Sequence, residues 1–182
     1  MPAENELKYV LPLNTLRDIF EDAGWKRIPI KQAYLPDGPR IRQYGDDKFV
    51  FTYKRWIDPK NRITEIELDI DKEDFNDLWL ECKKPITKTR YLAPDSPEGY
   101  EWSVDFLETK KGNTYFVLAE VEMPEGLEQP PEIHPLIASL DFYAAAKKDT
   151  AITNKKLSNR SHAKDMYKRI EAEKAGQIQP EI

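Results

Sequence analysis

Apolar and polar residues alternate with a period of two over most of the first 125 positions. That period sends successive side chains to opposite faces of a pleated strand. Eight segments carry it: 5–11 (NELKYVL), 30–36 (IKQAYLP), 40–45 (RIRQYG), 47–56 (DKFVFTYKRW), 62–70 (RITEIELDI), 86–93 (ITKTRYLA), 100–108 (YEWSVDFLE) and 113–123 (NTYFVLAEVEM). Two segments switch to a helical period. Residues 14–25 predict a helix with Asn14 as N-cap and Leu16, Ile19 and Phe20 on one face, and residues 72–84 predict a second, capped by Asp71. After Pro124 the pattern changes again: 128–135 reads as loop, and 136–148 and 161–176 as helices. The chain is therefore expected to be an α+β protein dominated by antiparallel sheet, and closure into a barrel would remove the exposed edges. One domain spans 1–182, with a strand-rich core over about 4–135 and a helical part over about 136–176.

Composition narrows the class. The chain is 40% hydrophobic and 34% charged, a globular balance rich in charge. No apolar run is long enough to span a membrane, and the acidic start (MPAENELKYV) carries no secretory pattern. Cys82, the single cysteine, forms no internal disulfide, and with the missing secretory pattern it points to the cytoplasm. A net charge of −5 argues against nonspecific nucleic-acid binding, which depends on a positive surface.

The faces of the strands are more informative than the totals. Glu4, Glu6 and Lys8 share one face of the first strand, and Leu7 and Tyr9 take the other. Arg40 and Arg42 oppose Ile41; Lys54 shares the face of Val50 and Thr52; Glu65 and Glu67 oppose Ile66 and Leu68. Lys88 and Arg90 oppose Thr89 and Tyr91, while Asp105 opposes Val104 and Phe106. Glu120 and Glu122 close the series, roughly 7 Å apart along one face. A half-solvated sheet also has one charged face, but like charges two residues apart repel. Same-sign runs suit a face turned inward around a polyvalent ligand. The pattern alone leaves both orientations open.

Read in order, these motifs resemble the CYTH superfamily, the triphosphate tunnel metalloenzymes. ENELK (4–8) is similar to the family's Glu-x-Glu-x-Lys signature, and QAYL (32–35) to its Gln-Gly-Tyr-Leu strand, with Ala33 at the Gly position. RIRQ, FTYKR, TEIEL, ITKTRY, EWSVDFL and LAEVEMPEG follow in the family's sequence, so the resemblance covers residues 4 to about 135. It implies an eight-stranded antiparallel barrel forming a tunnel with a charged lumen, helices packed outside it, and C-terminal helices. It also implies Mg²⁺ or Mn²⁺ and a triphosphate substrate, with Lys8 and Tyr34 in catalysis and substrate choice.

The residue types agree with that chemistry. Neither GxxxxGK[ST] nor GxGxxG occurs, so side chains rather than a Gly-rich backbone must hold phosphates. Arg40, Arg42, Lys54, Lys88 and Arg90 supply cationic donors. Glu4, Glu6, Glu65, Glu67, Asp105, Glu120 and Glu122 supply the oxygen ligands that hard divalent cations prefer. The leading expectation is hydrolysis of inorganic triphosphate to pyrophosphate and phosphate by a monomer or homodimer. The alternatives are a thiamine or nucleoside triphosphatase, action on RNA 5′-triphosphate ends, and cyclisation of ATP to cyclic AMP. A silent polyphosphate binder is the weakest reading, because every aligned functional position is present.

Overall fold

The computed structural model describes residues 5–36, 38–57, 62–130, 132–146 and 149–176, so Glu4 lies outside the described residues. Nine strands form one sheet: β1 (Glu6–Val10), β2 (Lys26–Tyr34), β3 (Arg40–Tyr44), β4 (Lys48–Ile57), β5 (Arg62–Ile70), β6 (Lys83–Leu92), β7 (Glu101–Glu108), β8 (Thr114–Glu122) and β9 (Tyr143–Ala144). Their order is β5-β4-β3-β2-β6-β7-β8-β1-β9, and every ladder is antiparallel. The helices are α1 (Asp18–Asp22), α2 (Lys72–Glu81), α3 (Pro135–Ala138), α4 (Asn154–Leu157) and α5 (Arg160–Lys174). No described helix is long and apolar enough to cross a membrane.

The expected eight-stranded barrel does not close. Closure would need β5 to pair with the outer edge of β1, but that edge is occupied: Tyr9 pairs with Ala144 and Val10 with Tyr143. The strand that takes it comes from residues 136–148, which the pattern assigned to a helix. Among the described residues there only Pro135–Ala138 is helical, and a nonlocal ladder overrides the helix preference of the alanine run after it. The first predicted helix also contracts. A turn closes over Pro12–Thr15, with Thr15 N–H donating to the Pro12 carbonyl at 3.0 Å, so Asn14 caps nothing and α1 starts at Asp18. Asp71 does cap α2 as expected, accepting from Asp74 N–H at 2.8 Å.

β2 begins earlier than the pattern implied and runs through Pro29. Proline is tolerated because β3 pairs only from Ile30 onward, and the Pro29 carbonyl accepts Gly45 N–H at 2.8 Å. Gly45 sits at φ 58 in the β3–β4 turn, a conformation that glycine adopts without strain. Where β2 meets β6 the register shifts beside Tyr34: Lys84 and Pro85 together face Ala33, and Lys84 takes a positive φ of 54.

Both faces of the sheet carry a core. On one face, Tyr91, Trp102, Val104, Phe106, Val117, Ala119 and Val121 pack with Phe20 of α1, Trp25 and Ile137 of α3. Further along that side Ile41 and Phe49 pack with Phe75 of α2, and Cys82 contributes to this cluster. On the other face, Val10, Ile86, Leu107, Phe116 and Leu118 pack with Ile152, Leu157, Ala163, Met166 and Ile170. By the period of two, Val10 shares its face with Lys8, Ile86 with Lys88, Leu107 with Asp105 and Leu118 with Glu120. The C-terminal helices α4 and α5 therefore lie on the charged face, not outside it. Each large apolar side chain buried there contributes roughly 1.5–3 kcal/mol. Tyr167 of α5 fixes the arrangement, its hydroxyl donating to the Leu11 carbonyl at 2.9 Å and accepting Val117 N–H at 3.1 Å.

Candidate functional site

Beside that apolar plug the same face encloses a cavity of about 900 Å³. Residues of β1 and of β5 line it together although β5 is one edge of the sheet and β1 lies next to the other, so the sheet curls around it. Eleven of the residues singled out in the sequence reach the cavity. Glu6, Lys8, Glu120 and Glu122 come from β1 and β8; Tyr34, Arg40 and Arg42 from β2 and β3; Lys54, Glu65 and Glu67 from β4 and β5; and Arg90 from β6. Lys88 and Asp105 share this face but lie beneath the lining, both at 0% exposure. The inward orientation left open by the alternation is the one the chain adopts.

At three places a charge meets the opposite sign on the next strand, while Arg40 and Arg42 of β3 face the uncharged Tyr34, Gln32, Thr52 and Val50. Lys8 lies opposite Glu120, Lys54 opposite Glu65 and Arg90 opposite Asp105. Contacts follow this register. Lys54 Nζ is 3.2 Å from Glu65, Arg90 Nη2 is 3.2 Å from Glu120, and Lys8 Nζ pairs with Glu6 and stands 4.0 Å from Glu120. In one row like charges meet. Glu6 faces Glu122, which faces Glu101, so three carboxylates stand side by side on β1, β8 and β7. Among the described residues no ion pair reaches Glu101 or Glu122.

Titration follows this geometry. Burial, then the neighbouring Asp105 and Glu6 charges, hold the Glu120 carboxyl above its usual range against Arg90 and Lys88. Burial and then Glu101 push Glu122 the same way. Asp105 is the reverse case: burial alone would raise it, but Arg90 and Lys88 outweigh burial and hold it well below the carboxylate range. Burial lowers Lys88 to about 8 despite Asp105. Burial also raises the Tyr34 phenol above its ordinary value against Arg40, Arg42 and Lys54. At neutral pH Tyr34 is thus a hydroxyl that can donate a hydrogen bond, not a phenolate base.

Several contributors escaped the sequence. Gln32 is fully buried and accepts from Arg42 Nε at 3.1 Å, and Arg42 Nη1 also donates to the Tyr44 hydroxyl. The signal for Gln32 was its shared face with Tyr34. Thr52 donates to Glu67 at 3.2 Å and accepts from Arg40 at 3.4 Å. Thr153, Asn154 and Lys155 at the start of α4 also line the cavity, with Lys155 Nζ 5.7 Å from the Tyr34 ring centre. No periodicity marks them, because they follow the last strand.

For a divalent cation the donor chemistry is suitable, since all the candidate ligands are carboxylate oxygens. Among the described residues, however, no three acidic, histidine or cysteine side chains converge closely enough to hold a metal alone. The carboxylates fit a cation of the Mg²⁺ type, which takes one or two protein carboxylates and fills its shell with water and substrate phosphates. Glu6, Glu120 and Glu122 on adjacent strands are the carboxylates from which that one or two would be drawn.

The raised Glu120 carboxyl gives a stability test. A group whose folded pKa lies above its unfolded value destabilises the fold when ionised and is neutral in effect once protonated in both states. Metal-free Glu120→Gln should melt higher than wild type at pH 7, and the gain should vanish below the unfolded value of 4.5. Thermal melts across that range measure it, and a lower melting temperature at pH 7 would mean that the Arg90 contact outweighs desolvation. Compared with models of known protein families and with curated proteins, the chain matches none.

Proposed function

We propose that this chain is a divalent-metal-dependent triphosphatase of the CYTH type, acting first on inorganic triphosphate. The observation that carries the reading is the cavity itself. Five cations from four strands, Lys8, Arg40, Arg42, Lys54 and Arg90, face one cavity together with the carboxylates Glu6, Glu120 and Glu122. A chain of three phosphates concentrates negative charge over a short length, and this lining answers it without a Gly-rich loop. A bound Mg²⁺ or Mn²⁺ would neutralise charge on the phosphate oxygens and favour ionisation of a water.

The protein's share is positioning and electrostatics, as in phosphoryl transfer generally. Arg40 and Arg42, on one face of β3, grip phosphate oxygens through planar forks. Lys8, between Glu6 and Glu120, places a compact positive charge where the carboxylates approach the substrate. The neutral Tyr34 hydroxyl donates to a phosphate oxygen. Glu6, Glu120 and Glu122 would hold the cation. The supporting contacts are local: Gln32 and Tyr44 lock Arg42, and Thr52 links Arg40 to Glu67.

The deciding experiment is a product assay with tripolyphosphate, ATP and thiamine triphosphate, each with Mg²⁺ and with Mn²⁺. Pyrophosphate and phosphate from tripolyphosphate are expected; cyclic AMP from ATP would move the assignment to a cyclase. No turnover and no binding of any of the three would end the reading. Arg42 gives a finer test, because its guanidinium is held rigidly before substrate arrives. Its contact should be equal in ground and transition states, so Arg42→Ala should raise KM about tenfold with kcat nearly unchanged. An unaltered kcat/KM would remove Arg42 from the site.

A further inference from the structure

Three of the five guanidinium N–H donors of Arg90 are spoken for within the protein. Nε donates to Asp105 Oδ1 at 2.7 Å, and Nη2 donates to Asp105 Oδ2 at 2.8 Å and to Glu120 at 3.2 Å. Among the described residues no partner takes the two N–H groups of Nη1, and Arg90 lines the cavity. Behind this fork, Lys88 Nζ donates to Asp105 Oδ2 at 2.5 Å and to Asn154 Oδ1 at 3.4 Å. The Asp105 carboxylate thus receives three charge-assisted bonds at 0% exposure. No oxygen is left facing the cavity for a cation, and the Lys88 ammonium is turned away from any ligand there.

We infer that Lys88 and Asp105 are positioning residues: they fix the Arg90 guanidinium so that its Nη1 edge is presented to an anion in the cavity, and neither binds metal or substrate itself. A free arginine side chain loses rotamer entropy when it is ordered. A bidentate carboxylate grip imposes that order before the ligand arrives, so a phosphate oxygen meets two donors already in place. Lys88 is required because a buried carboxylate with a single cationic partner would be drawn toward that partner alone. The second cation holds it from the side of α4, and Asn154 ties the ammonium to that helix. The inference rests on the triphosphatase reading for the identity of the anion, but not for the geometry of Arg90.

The test uses the full chain and reads binding rather than turnover. Tripolyphosphate affinity is measured calorimetrically in excess EDTA, and Mn²⁺ affinity by electron paramagnetic resonance without phosphate, for wild type, Asp105→Asn, Arg90→Ala and the double variant. Asp105→Asn should weaken tripolyphosphate about tenfold and leave Mn²⁺ affinity within about twofold, and its effect should disappear in the Arg90→Ala background. A tenfold loss of Mn²⁺ affinity in Asp105→Asn, or additive losses in the double variant, would overturn the inference. Should Asp105→Asn fail to fold around the remaining Lys88 charge, Lys88→Met combined with Asp105→Asn removes both charges and is read in the same way. If wild type binds no tripolyphosphate, the triphosphatase reading fails, and Arg90 is followed directly by ¹⁵N NMR. Slow exchange of its Nε–H in wild type that becomes fast in Asp105→Asn supports the positioning role, and fast exchange already in wild type overturns it.

Discussion

In excess EDTA, hydrolysis of tripolyphosphate is expected to fall to background, and Mg²⁺ or Mn²⁺ should restore it. The reason is a row of the sheet in which like charges face one another. Glu6, Glu122 and Glu101 lie side by side across three strands, and Glu122 is held above the usual carboxylate range by burial and by Glu101. Ordering like charges in this way costs stability unless a cation answers them. The sheet supplies a bonded basic partner at Glu120, Glu65 and Asp105, and Lys8 reaches Glu6, but among the described residues no ion pair reaches Glu122 or Glu101. A triphosphate entering the cavity adds more negative charge to the same space, so substrate and carboxylates can share it only with a cation between them. Phosphate release in EDTA, followed by titration with each metal, checks this; undiminished turnover in chelator would assign the carboxylates to structure alone.

The second large effect is expected at Lys8. Its ammonium pairs with Glu6, stands 4.0 Å from Glu120, and is cross-strand to Glu120 on β8. It stands between two of the carboxylates that would hold the metal, Glu6 and Glu120. A compact point charge fits between two carboxylates; a planar guanidinium would engage one of them side-on and displace the other. Lys8→Arg, which preserves charge, should therefore lose at least about tenfold in kcat, a barrier increase of about 1.4 kcal/mol or more. Tripolyphosphate and Mn²⁺ should still bind, because Arg40, Arg42, Lys54 and Arg90 remain. Steady-state kinetics with independent binding measurements separate the two effects, and wild-type kcat in both Lys8→Arg and Lys8→Ala would return ENELK to an ordinary charged strand.

What could be read in advance was what strands determine locally. A period of two assigns a face to every residue, and the assignment survives any register that keeps the alternation. Glu6 with Lys8, Arg40 with Arg42, Glu65 with Glu67 and Glu120 with Glu122 therefore arrived together on the cavity side. Barrel closure was not legible, because it depended on which strand claimed the outer edge of β1. The claimant, Tyr143–Ala144, sits in an alanine-rich stretch whose local preference is helical. The side on which α4 and α5 dock was hidden for a related reason. Each strand of the central sheet carries its charged and apolar inward residues in succession, as Lys8 then Val10 and Glu120 then Leu118, so one face is part site and part core. Lys88 and Asp105 share the face of the lining residues, and their burial at 0% exposure below the cavity wall is a depth that a period of two does not encode.

That docking also sets when the site can form. Tyr167 bonds to the Leu11 carbonyl across 156 positions and to Val117 across 50, and Asn154 reaches Lys88 across 66. Contacts this distant along the chain close late, since each must first overcome the entropy of a long loop. A chain still on the ribosome can pair β2 to β5 as successive neighbours, then β6 against β2 with β7 and β8 following in turn, yet leave the inner face of β1, β6 and β8 uncovered until α5 has emerged. During that interval Val10, Ile86, Phe116 and Leu118 lie open to other nascent chains, so the arrival of α5 is what turns a sticky curved sheet into one with a covered core beside its cavity.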